Sequence, residues 1–80
     1  MNEYTANLAR LGAFLKAFGI WSALSAYAIR GYAVDIPEAE AELRKAWGNL
    51  HETERAHLLR DFFHHLKAGT DDQLARILAL

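Results

Sequence analysis

From Tyr4 to Tyr32 the apolar and small positions recur at alternating steps of four and three, through Tyr4, Leu8, Leu11, Leu15, Phe18, Ser22, Ser25, Ile29 and Tyr32. Those are the a and d positions of an unbroken heptad, which predicts one long helix. The two flanks of this seam differ. One carries Thr5, Gly12, Gly19, Ala26 and Ala33, and the other Asn7, Phe14, Trp21 and Ala28. Small residues every seven positions let a second helix approach closely along one edge, while the bulky edge fills space on the far side. A glycine inside a helix costs about 1 kcal/mol relative to alanine, so two of them seven apart call for a packing reason. The alternative is that Gly19 kinks or ends the helix.

Gly31 and the run Val34-Asp35-Ile36-Pro37 close this first helix, since glycine suits a C-terminal cap and the residue before proline is pushed out of the α region. Asp35 with Glu38 then offers a capping box for a second helix, whose inner side is Ala39, Leu43, Ala46, Trp47 and Leu50. Glutamates at 38, 40 and 42 precede Arg44 and Lys45, an order that suits the helix dipole and allows a Glu40–Arg44 pair. Gly48-Asn49 breaks the pattern. A third helix starts near His51, with Glu54 three residues on, and turns Leu58, Leu59, Phe62, Phe63 and Leu66 inward until Gly69. Thr70 and Gln73 are a further capping signal, with Asp71 and Asp72 at the positive end of a fourth helix that carries Leu74, Ile77 and Leu78. There is no run of period two between turn residues. The expected fold is an all-α small helical bundle in a single domain spanning 1–80. One long N-terminal helix over about 3–33, with a kink at Gly19 as the variant, precedes three shorter ones at about 37–48, 51–68 and 70–79.

Length turns this pattern into a problem of coverage. A helix of about 30 residues is about 45 Å long, whereas an 80-residue globule is about 30 Å across. Such a chain buries only about 60% of its unfolded surface. Thirteen residues without a charge, 17–29, separate Lys16 from Arg30, and Ile20, Leu24 and Tyr27 lie off the seam, so the middle of the first helix is apolar around most of its circumference. Such a helix sits at the centre of a bundle or in a membrane. Lys16, Gly12, Gly19, Ser22 and Ser25 argue against a spanning segment, as a lysine at the centre of one costs about 2.5–3.5 kcal/mol. A secretory signal ending in Ala26-Tyr27-Ala28 is disfavoured because Glu3 cancels Arg10 and Lys16 interrupts the apolar region. The expected partner is a second copy, the simplest reading of an apolar excess, with Leu11, Leu15, Phe18, Gly19, Trp21, Ser22, Ser25 and Ile29 at an antiparallel interface. Seam serines would bond the carbonyls of the preceding turn.

Composition narrows the chemistry. The net charge is −1, and the nine basic residues are spread along the chain, which disfavours nucleic acid. A helix-turn-helix built on Gly48 would place Glu52 and Glu54 against phosphates. The absence of cysteine removes disulfides, thiolate metal sites and cysteine nucleophiles, and fits the cytoplasm. No serine or threonine has a histidine placed as a general base, and the five glycines form no phosphate loop. One constellation has ligand chemistry: Glu54, His57, Asp61 and His64 share the polar side of the third helix, and Glu54-Arg55-Ala56-His57 matches the Glu-x-x-His of di-iron bundles, with zinc a further option. The bland account of these residues is a solvated face. The expected protein is therefore no enzyme and holds no cofactor. It is a cytoplasmic interaction module, an adaptor or an inhibitor of a larger machine, with itself and an unidentified protein as partners. A metal-binding helical protein and a membrane-associated one follow in that order.

Overall fold

The computed structural model describes residues 3–61 and 72–78. Helix α1 spans Glu3–Ile29, α2 Ile36–Gly48, α3 Glu52–Asp61 and α4 Asp72–Ile77, and no strand occurs among the described residues. The fold is the expected small all-α bundle. Expected residues 62–68 of the third helix and 70, 71 and 79 of the fourth lie outside the described residues. At 27 residues α1 is about 40 Å long, which accounts for most of the 44 Å long axis of the molecule. It runs unbroken through Gly19.

Helix α1 ends four residues before the expected Ala33, and the reason is a hydrogen-bonded cap. The Gly31 N–H donates to the Ala28 carbonyl at 3.0 Å and the Tyr32 N–H to the Tyr27 carbonyl at 3.1 Å. This is the Schellman pattern, with Gly31 at φ 92° in the left-handed position that a side chain resists. The rings of Tyr27 and Tyr32 meet edge to face at 5.6 Å, closing the cap with the apolar contact that usually accompanies it. Asp35 then starts α2: its carboxylate accepts the Glu38 N–H at 3.0 Å, and Pro37 occupies the first turn, where a missing N–H costs nothing.

The core forms where α2 lies along α1. Phe14 and Leu43 are fully buried, joined by Trp21, Ala39, Ala46, Trp47, Leu50, Leu74, Ile77 and Leu78. The rings of Phe14 and Trp47 lie 5.4 Å apart. All five expected inner residues of α2 and all three of α4 are in this core, while Leu58 and Leu59 of α3 pack against its edge. Two arginines tie the ends together. Arg44 donates to the Ile77 carbonyl at 3.1 Å, rather than pairing with Glu40, and so joins α2 to α4. Arg55 donates to the Leu50 carbonyl at 2.6 Å, fixing the turn between α2 and α3.

Replacing Gly31 by alanine forces a side chain into the left-handed region and should lower stability by about 1–2 kcal/mol. Urea unfolding followed by circular dichroism measures the change; an unaltered midpoint would mean that the cap is not held at Gly31.

Candidate functional site

The buried line of α1 is not the seam itself. Phe14 and Trp21 face the core, and they belong to the bulky flank. The seam's inner column, Leu11, Phe18 and Ser25, is half-buried beside them. Its outer column points away: Leu8 is 50% exposed, Leu15 45% and Ile29 87%. The expected interface residues therefore differ in exposure within the chain. Trp21 is enclosed by its own chain, and the ring of Phe18 lies 6.1 Å from it. Leu11, Leu15, Gly19, Ser22 and Ile29 keep their position toward the outside, Leu11 only in part.

Gly12 and Gly19 lie on the outer strip, and a methyl group built on either would meet no atom within 4 Å. Nothing inside the described chain requires these positions to be glycine. The outer column and the small flank merge into one band, Leu8, Gly12, Leu15, Gly19, Ser22, Ala26 and Ile29, in which every residue is exposed. It carries no charge.

On the other side of α1 a groove of about 460 Å³ runs between α1 and α2. Its α1 wall is Ala13, Lys16, Ala17, Ile20 and Leu24, and its α2 wall includes Asp35, Glu38 and Glu42. The floor is apolar and three carboxylates stand opposite one ammonium group.

Three buried polar atoms of α1 lack a partner among the described residues, Nε of Arg10, the indole N–H of Trp21 and the hydroxyl of Ser25. Ser25 does not make the expected bond to the preceding turn. An unsatisfied hydroxyl in a half-buried place destabilises.

Two of the residues expected at a metal site, Glu54 and Asp61, have local partners. The Glu54 carboxylate accepts the His51 N–H at 3.1 Å, capping α3. Asp61 pairs with Arg60 at 2.9 Å, and that hydrogen bond holds its carboxyl below the usual range. Both are on the surface, where such a pair contributes little. His57 is exposed, and His64 lies outside the described residues. No group of three metal-ligating side chains occurs among the described residues.

By length and composition Ala6–Ile29 would suffice to cross a bilayer, and only 11% of its apolar stretch is buried in the chain. No family model, curated protein or solved structure matches this sequence.

Replacing Ser25 by alanine removes the unpaired hydroxyl and improves helix propensity, so stability should rise by about 1 kcal/mol. A lower urea midpoint for Ser25→Ala would show that the hydroxyl has a partner after all.

Proposed function

We propose that this chain is a small non-catalytic interaction module that pairs with a second copy through the outer strip of α1, in the manner of an adaptor or inhibitor. The carrying observation is that Leu8, Leu15 and Ile29 stand exposed on one strip with two mid-helix glycines whose surroundings are open. Each glycine weakens an isolated helix by about 1 kcal/mol. Close approach of another backbone gives that cost a purpose. Water-exposed apolar strips of this length mark association sites in soluble proteins.

A bilayer is the competing environment for α1. Against it stands α2, which brings Asp35, Glu38 and Glu42 beside Lys16 and Ile20 at the middle of α1. Charged groups at such depth are costly. Insertion would have to strip α2 from Phe14 and Trp21, exposing the core formed by the described residues. On this reading the protein works in an aqueous compartment, and the lack of cysteine fits the cytoplasm.

Light scattering after size exclusion, at roughly 100 μM because a contact of this kind is of modest affinity, should give twice the 9.0 kDa chain mass. Leu15→Glu places a charge on the strip while leaving the core alone, and should give a helical species of single-chain mass. A wild-type monomer at that concentration refutes the dimer. Recovery of the chain only with detergent, and its sedimentation with lipid vesicles, would favour the membrane instead.

A further inference from the structure

The outer strip is complementary to itself in one direction only. Its positions step by four and three, Leu8, Gly12, Leu15, Gly19, Ser22, Ala26, Ile29, with the bulky residues in one column and the small ones in the next. The geometry points to antiparallel pairing of two α1 helices in which Leu15 of one copy lies level with Gly19 of the other, Leu8 with Ala26, and Gly12 with Ser22. This arrangement rests on the dimer proposed above and assigns its direction and register.

Three steps lead to it. In a parallel pair each residue meets its own copy, so Leu15 would stand on Leu15 and Gly19 on Gly19. Bulky layers would then hold the backbones apart at the very places where the glycine layers need them close. Reversing one helix brings every bulky residue level with a small one, and the side chains of Leu8, Leu15 and Ile29 interleave along one side while Gly12, Gly19 and Ala26 let the backbones meet on the other.

The register follows from where α1 ends. In the chosen alignment Ile29 falls level with the backbone of Thr5, so all three exposed bulky residues are used within the helix. Sliding by one heptad keeps the alternation but sets Leu8 level with Ala33, beyond the cap at Gly31. The strip also drifts slowly around a straight helix, as a seven-residue repeat must, which gives the pair a left-handed crossing of about 20°. Lys16 of each copy stands on the same rim near the two-fold axis, with Glu38 and Glu42 of its own α2 across the groove to offset the like charge.

The surface available is sufficient for this partner. From Leu8 to Ile29 the strip is about 32 Å long and takes about a third of the helix circumference, so two copies would bury on the order of 1,000 Å² in total, the size at which specific contacts begin. The match in length is a property of α1 against α1; α2, at 13 residues, is about 20 Å long and falls well short of such a strip.

Because the chain has no cysteine, introduced thiols report single positions. Leu8→Cys and Ala26→Cys, each exposed in the folded chain, are oxidised separately and as a mixture, with Glu52→Cys on α3 as the collision control. The pairing predicts roughly tenfold more disulfide dimer in the mixture than in either variant alone. The pair Gly12→Cys with Ser22→Cys provides the same comparison at a second layer. Crosslinking of like with like in single variants would overturn the antiparallel register while leaving the dimer standing. A dimeric mass without either crosslink would overturn this face as the contact. A single-chain mass and no crosslink would remove both the register and the dimer.

Discussion

The seating of Phe14 against Trp47 and Leu43 decides how everything else is arranged. Phe14 is fully enclosed, and the α1 side chain one heptad away, Trp21, is drawn into the same core. Once these two large groups point inward, the angular position of every other α1 residue is set by helical geometry. The outer column of the heptad then has to face away, and the acidic wall of α2 has to border the groove. Burial of a phenylalanine and a tryptophan outweighs the partial burial of leucines that would follow from turning the helix by one residue, because apolar area removed from water scales with ring size.

The second determinant is how the helices stop. A chain of short amphipathic helices folds back on a long one only if the reversal is defined, and the two described reversals, α1 to α2 and α2 to α3, are made by specific polar contacts: the Gly31 cap, the Asp35 carboxylate and the Arg55 guanidinium. None of these involves a metal or a disulfide. Arg44 extends the scheme to α4, a helix of six residues too short to persist by itself. Its position depends on inserting Leu74, Ile77 and Leu78 beside Leu43 and Trp47.

Much of this was legible in the residues. The inner sides of α2 and α4 were read correctly because amphipathic helices of ordinary length declare their core side by apolar spacing. The cap at Asp35 was readable from its spacing to Glu38. The end of α1 was placed too late because the heptad continues to Tyr32 as a sequence pattern, although the backbone has already turned at Gly31 and Tyr32 serves as the cap's apolar contact. Trp21 was assigned to an interface because periodicity identifies a helix's repeating columns without saying which column meets the chain's own core. Volume would have been the better guide there, since the bulky flank was the one able to fill the space beside Trp47. Ser25 shows the same limit: its expected bond depended on a rotamer that spacing does not specify. The Glu54–His57 pairing was a real spacing, but a carboxylate three residues into a helix has a local use as a cap that competes with any ligand role.

Both tryptophans of the chain sit in the core of the described residues, one on α1 and one on α2, at 4% and 7% exposure. Their emission is therefore a native optical gauge of whether those two helices are docked. The outer strip holds no indole, so contact between copies leaves that colour unchanged. Folding of the individual chain and its association can thus be followed in one sample, the first by fluorescence wavelength and the second by mass, without attaching a dye.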